Sequence, residues 1–288
     1  MEASSGSPYR RWRRPAVSSV LMALGESLCR SQLMPQGLSV AEVHRWRERV
    51  VLNKALGRQS RMRVAFASDL HAGRMTPTGT IVSACEALLA AGPDLILLGG
   101  DYVCSTSGEL DAILPALGRL RAQCGVFAVL GNHDHSAGAT VITRRLESCG
   151  IRVLCNSSMQ LPDPFSNVLL VGLDDHLGGQ PRAAEAHWDD HCATLLLIHQ
   201  PSGLLDAGDR PFDLALTGHT HGGQITLPGG RAPMAASGPL SRMYQAGRYL
   251  LPQERVLCVS VGVGQSLLPI RLGPRTEILI LDLVGTPA

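Results

Sequence analysis

Five short apolar runs in this chain each end in residues that bind metal ions. Arg63–Ser68 runs into Asp69 and His71, Leu95–Leu98 passes through Gly99 and Gly100 to Asp101, and Val126–Leu130 passes through Gly131 to Asn132, His133 and Asp134. Thr194–Ile198 delivers His199, and Asp213–Thr217 leads through Gly218 to His219 and His221. In α/β sheets, ligand sites collect at the carboxyl ends of strands. These five ends therefore converge on one place if their strands run parallel. Carboxylate, amide and imidazole donors without a thiolate suit Mn²⁺, Fe, Zn²⁺ or Ni²⁺ rather than Ca²⁺ or Mg²⁺. Seven such ligands are too many for one ion and fit two ions that share a carboxylate. Two cations about 3.5–4 Å apart can clamp a phosphoryl group and hold a bridging hydroxide for in-line attack. The glycines before Asp101, Asn132 and His219 allow tight turns and close backbone approach, because glycine tolerates φ > 0.

The elements that must position these residues alternate. Strands are expected at Arg63–Ser68, Leu95–Leu98 and Val126–Leu130, with helices at Pro77–Ala91, Leu110–Arg121 and Ala139–Cys149. Further strands follow near Asn167–Gly172, Thr194–Ile198 and Asp213–Thr217, then a Gly/Pro-rich segment at 222–248 and two terminal strands, Val256–Val261 and Glu277–Leu283. Strand-then-helix order argues for an α/β sheet with parallel connections. With no repeat and no second core in view, one catalytic domain is expected over 61–288. Upstream, Ser39 and Glu42 form a capping box and Leu38 with Val43 a hydrophobic staple, so a helix is expected at about 39–56. Val43, Trp46 and Val50 follow helical spacing, and Arg45, Arg47, Arg49 and Lys54 stud its other faces. A basic amphipathic stretch within residues 1–56 suits either docking on the domain or contact with an anionic membrane surface.

Composition bounds the rest. The 288 residues are 45% hydrophobic and 17% charged, enough for one sizeable α/β core. Net charge is only +2, and the catalytic part lacks a basic stripe interleaved with aromatics, so no nucleic-acid partner is expected. The charge is unevenly spread: residues 1–60 carry +6, leaving −4 on the remainder. Eight cysteines show neither CxxC nor a repeated spacing, which fits buried reduced thiols in a reducing compartment. No apolar stretch reaches the roughly 18–20 residues of a membrane span. Arg10-Arg11 and Arg13-Arg14 before the mildly apolar Ala16–Gly25 have the order of a twin-arginine export signal. The apolar part is short and no cleavage site follows, so the default is an uncleaved basic arm on a cytoplasmic protein, peripheral at most to the inner membrane.

The blocks Asp69-x-His71, Gly100-Asp101, Gly131-Asn132-His133-Asp134, His199 and Gly218-His219-x-His221, present and in this order, resemble those of the calcineurin-like metallophosphoesterase superfamily. Within it, Leu98–Val103, Gly218–Gln224 and the tail Gly262-Val263-Gly264 with Arg271 and Glu277-Ile278 are similar to the bacterial YkuE/YaeI-type phosphodiesterases. That group usually carries an obvious N-terminal signal or anchor, which here is degraded at best. The resemblance covers about 60–285.

It implies a four-layer α/β/β/α sandwich of two mixed sheets and two divalent ions, with Mn²⁺ favoured. Asp69, His71 and His221 would hold the first ion; Asn132, His199 and His219 would hold the second; Asp101 would bridge. His133 would protonate the leaving oxygen, oriented by Asp134. The implied substrate is a small-molecule or lipid-linked phosphodiester or pyrophosphate, and one alternative is a UDP-2,3-diacylglucosamine-type lipid precursor cleaved at the membrane. A non-catalytic scaffold of the same fold would show eroded ligands, and here every one is present. Asp174, Asp175 and His176 could line the substrate, and His135 could reach the pocket mouth. Arg271 is read as a phosphate contact or an ion pair with Glu277, Arg74 as a phosphate contact or a solvated side chain, and His44, His187 and His191 as surface residues. The residue pattern leaves oligomeric state open.

Overall fold

Side-chain alternation along the strands decides the layering. A computed structural model describes residues 40–226, 232, 236–266, 268 and 270–287. The twin-arginine-like start and most of the basic arm lie outside the described residues. In chain order the elements are β1 (His44–Val51), β2 (Arg61–Ala67), α1 (Thr78–Ala90), β3 (Leu95–Leu98), α2 (Leu114–Leu117), β4 (Val126–Ala128), α3 (Asn132–Ser148) and β5 (Arg152–Val153). They continue with β6 (Ser157–Gln160), β7 (Val168–Gly172), β8 (Ala193–Leu197), α4 (Gly203–Ala207), β9 (Leu214–Thr217), β10 (Gly247–Leu250), β11 (Val256–Val259) and β12 (Glu277–Val284).

The strands form two six-stranded mixed sheets, ordered β1-β12-β2-β3-β4-β5 and β10-β11-β9-β8-β7-β6. In the first, β2, β3, β4 and β5 run parallel; in the second, β7, β8, β9 and β11 do. Val64, Phe66, Leu95, Leu97, Leu279 and Leu281 point from the first sheet toward Leu170, Leu195, Leu197, Leu214, Leu216 and Cys258 of the second, forming one core. Their neighbours Ala65, Ala67, Ile96, Leu98 and Ile280 face the other way, against Ile81 and Leu88 of α1 and Ile142 and Leu146 of α3. On the far side, Leu169, Val171, Leu196 and Val259 pack under Phe212, Trp188 and α4. The architecture is thus two sheets between outer layers, as expected for α/β/β/α, although the second outer layer is a five-residue helix and long loops.

Three expectations change. The helix expected at 39–56 is strand β1, paired in parallel along its whole length with β12. Trp46, Glu48 and Val50 share one face at period two, and that alternation fits a strand edge better than the 3.6-residue spacing read from the sequence. The boundary at residue 60 therefore moves, because β1 belongs to the first sheet. The helix expected at 110–121 breaks into a 3₁₀ turn at Ser107–Ala112 and α2, since Pro115 sits in the first turn of a new helix. The helix expected at 139–149 is the part of α3 that follows Gly138, where φ of 117° interrupts the helical backbone, and a short helical segment from Asn132 precedes it. Among the described residues no helix is long and apolar enough to cross a membrane, and the seven described cysteines are free thiols.

Candidate metal centre

The parallel strands β2, β3, β4, β8 and β9 bring their carboxyl ends to one end of the sandwich. Each of the five loops that follow delivers a side chain named from the sequence. The backbone that presents them is strained at the candidate ligands themselves: φ is 55° at Asp69, 44° at His71, 54° at Asp101, 69° at His219 and 51° at His221. Left-handed backbone at a non-glycine residue costs on the order of 1–3 kcal/mol and persists where the surroundings impose it, typically at functional sites. The two roles expected of the glycines, positive φ and close approach, fall on different positions. Gly100 does adopt φ 90°. Gly131 and Gly218 instead make room: a Cβ on either would stand 2.1 Å from a carboxylate oxygen, Asp101 Oδ1 and Asp69 Oδ2 respectively.

Two clusters meet at Asp101. In the first, His71 Nε2 lies 3.0 Å from His221 Nε2, and Asp69 Oδ1 lies 3.5 Å from His221 Nε2 and 4.0 Å from His71 Nε2. In the second, His199 Nε2 lies 3.2 Å from His219 Nδ1. Asp101 Oδ2 stands between them, 3.6 Å from His71 Nε2 and 3.3 Å from His199 Nε2. Asn132 Oδ1 is buried without a hydrogen-bond partner. Nitrogens that each lie about 2.0–2.1 Å from one ion end up about 3 Å apart. The spacings of both imidazole pairs fit a shared cation.

The charges agree. Burial raises Asp69 above the ordinary carboxylate range, against the pull of His199. Burial also pushes Asp101 upward, but His199 and His133 outweigh it and hold its carboxyl well below that range. Burial lowers His71, burial and His199 lower His219, and burial and His71 lower His221 well below a free imidazole. Burial pulls His199 down, yet Asp101 carries it well above. Three of the four imidazoles are therefore held neutral, the form that binds metal. Outside the cluster, His199 Nδ1 donates to the Gly99 carbonyl and His219 Nε2 to the Ser237 carbonyl. These bonds fix tautomer and ring orientation.

His133 sits beside the centre, 4.8 Å from His71 between ring centroids. Its Nδ1 donates to the Cys104 carbonyl at 2.6 Å, leaving Nε2 as the exchangeable position. Burial lowers its pKa, but Asp101 and the Cys104 carbonyl raise it by more. Asp134 does not orient it. The Asp134 carboxylate accepts the backbone N–H groups of Asp101, Tyr102 and Gly131 at 2.7–2.9 Å, and that of Val103 at 3.4 Å. Adjacent residues on a helix point apart, so Asp134 ties the β3 loop to the start of α3 while His133 faces the centre. Sequence reasoning missed the Cys104, Gly99 and Ser237 carbonyls, because a backbone acceptor leaves no residue-type signal.

The secondary candidates divide. His135 pairs with Asp174 and His176 with Asp206, each at 2.7 Å. Asp175 takes the amides of Leu177 and Gly178 and the amide of Gln200, as a loop brace. Arg271 makes no ion pair with Glu277, which bonds Ser260 and Val261 instead. Its Nη2 lies 3.2 Å from His221 Nδ1 and bonds the Gly264 carbonyl, while Nε and Nη1 are buried without partners. Arg74, His44, His187 and His191 are exposed.

The calcineurin-like phosphoesterase profile matches residues 62–223. The chain is 37% identical over 230 residues to phosphodiesterase YaeI of Escherichia coli, covering 77% of this chain and 82% of that protein. It is 32% identical over 201 residues to the uncharacterized metallophosphoesterase YkuE of Bacillus subtilis, covering 67% and 69%. Among solved structures, the 5'-nucleotidase precursor of Thermus thermophilus superposes with a TM-score of 0.44 at 16% identity; the match covers 79% of this chain and about half, 55%, of that one.

Proposed function

The chain belongs to the calcineurin-like phosphoesterase family, and from that premise we propose that it hydrolyses phosphodiester or pyrophosphate bonds with two divalent cations. Asp69, His71 and His221 would hold one ion, and Asn132, His199 and His219 the other, with Asp101 shared. The observation that carries this reading is the position of Asp101 Oδ2 between two imidazole pairs, 3.6 Å from His71 and 3.3 Å from His199. Cations bound there supply Lewis acidity toward phosphoryl oxygens and acidify water at neutral pH, and Mn²⁺ is favoured.

The remaining chemistry belongs to the chain. His133 keeps a proton on Nδ1 through the Cys104 carbonyl and carries a raised pKa beside Asp101. It is therefore suited to deliver the Nε2 proton to a departing oxygen. Asp134 holds the β3 and β4 loops at the spacing that keeps Asp101 against His133: the His133 N–H donates to Asp101 Oδ1 at 2.9 Å. Phosphodiester is favoured over monoester because the relative at 37% identity is named a phosphodiesterase.

The test is metal content measured together with hydrolysis of bis-p-nitrophenyl phosphate, on protein purified without chelator and supplemented with Mn²⁺. About two ions per chain with chelator-sensitive diesterase activity are expected on a two-metal mechanism. Absence of bound metal after supplementation would sink the proposal.

A further inference from the structure

The outer face of strand β1 carries a row of cations unused by the metal centre. Trp46 and Val50 pack into the core between the sheets, so strand alternation turns Arg45, Arg47, Arg49 and Val51 to the opposite, helix-side face. All four are exposed. Arg45, Arg47 and Arg49 make no ion pair among the described residues. Glu48 faces the other side and pairs with Arg248 of β10.

Strand register extends the row into a patch. Arg49 stands across from Asp282 of β12, which stands across from Arg63 of β2. Val51, Val284 and Arg61 form the next row. Arg45, Arg47, Arg49, Arg61 and Arg63 therefore share one face at the open edge of the first sheet. Against these arginines the face sets Asp282, bonded to Arg63 Nε at 2.8 Å, and Asp94, whose carboxylate accepts the Arg63 backbone amide. The positive patch stands out against residues 61–288, which carry a net −4.

We propose that this face docks the protein on an anionic lipid bilayer. Charge complementarity selects an anionic partner, and the residues flanking the row select lipid over nucleic acid. Val40 and Val51, 58% and 62% exposed, bracket the arginines. Trp46, the aromatic residue of β1, faces the inner core. Nucleic-acid surfaces stack bases on exposed aromatics, whereas aliphatic side chains among arginines suit the headgroup–acyl boundary. The sheet edge thus offers, with different geometry, the membrane contact that was one of the two readings of the basic stretch.

The test is co-sedimentation of the full chain with vesicles of phosphatidylcholine alone and of equal phosphatidylcholine and phosphatidylglycerol. The wild type is compared with the triple variant Arg45→Ala, Arg47→Ala, Arg49→Ala, and with the triple Arg→Lys variant. Binding to the anionic vesicles alone is expected, falling about fivefold for each arginine removed. Lysine should largely restore it, and added salt should weaken it. Melting temperature is the folding control and should be unchanged in both variants, so failure here is separate from failure of the proposed hydrolysis. Equal binding by the alanine variant, equal binding to neutral vesicles, or capture by RNA without capture by vesicles would each overturn the proposal.

Discussion

The Nε2 atoms of His71 and His221 stand 3.0 Å apart although they belong to different sheets, His71 following β2 and His221 following β9. The contact joins the carboxyl ends of two sheets that also meet in the apolar core between them. Two neutral imidazole nitrogens at that distance repel unless a proton or a cation lies between them, and an ion bound there would cross-link the sandwich at this end. Stripping divalent ions should therefore destabilise the fold as well as stop turnover. An ion present at a hundred times its dissociation constant contributes about 2.7 kcal/mol. Chelator should lower the melting temperature by several degrees, and His221→Ala should start near the chelated value and respond little to Mn²⁺. A melting temperature unmoved by chelator in the wild type would exclude the cross-link.

His133 and Asp134 are neighbours in sequence with separate tasks, and substitution should separate them. His133→Ala removes a side chain on the Cys104 carbonyl, outside both imidazole pairs. Metal content and melting temperature should hold while turnover falls by about 10²–10⁴, most for poor leaving groups. Asp134→Ala strands the amides of Asp101, Tyr102 and Gly131 in the interior. It should cost about 3 kcal/mol or more in urea unfolding. If Asp134→Ala kept its stability and only altered the pH profile of turnover, the orienting role read from the sequence would return.

The loops of the site were legible because each block pairs a strand end with a residue type that has little other reason to be there. Gly218-His219-Thr220-His221 after an apolar run places its candidate ligands almost without tertiary information. Asp134 was misassigned because sequence adjacency to His133 suggests contact, while the helix that begins at Asn132 sends the two side chains apart. Strand β1 was misread for another reason. Val43, Trp46 and Val50 satisfy a helical spacing, and Trp46, Glu48 and Val50 satisfy a strand. The open edge of β12 decided between them. Strand pairing over a separation of more than two hundred residues leaves no mark on a local window.

The pair His176–Asp206 should leave a pH signature independent of the metal centre. Its hydrogen bond to Asp206 raises His176, outweighing burial. A raised folded-state pKa means stabilisation that is complete below the unfolded value, about 6.5, and lost as pH climbs through the folded value. His176→Ala should therefore cost about 1–2 kcal/mol near pH 6, where a hydrogen bond between charged groups is present, and distinctly less near pH 9. Urea midpoints at the two pH values check this, and an equal cost at both would show that packing, not charge, is what the substitution removes.

Gly218 offers the sharpest separation of site geometry from fold. A Cβ there would stand 2.1 Å from Asp69 Oδ2 and also 2.1 Å from Ser68 Oγ. Asp69 cannot retreat freely: both its oxygens accept the His219 N–H, at 2.9 and 3.0 Å, and its carboxylate is fully buried. Relief must come from moving Asp69 or the loop that carries His219 and His221, and either shift misplaces ligands. Displacement of this order at a metal site is costly because coordination distances tolerate only about 0.2 Å. Gly218→Ala should therefore fold, with a loss of about 1–3 kcal/mol from overpacking, yet bind divalent ions far more weakly than the wild type. Calorimetric titration with Mn²⁺, alongside urea unfolding of the chelated proteins, reads the two effects separately. Wild-type affinity in the alanine variant would mean that Asp69 is not a ligand.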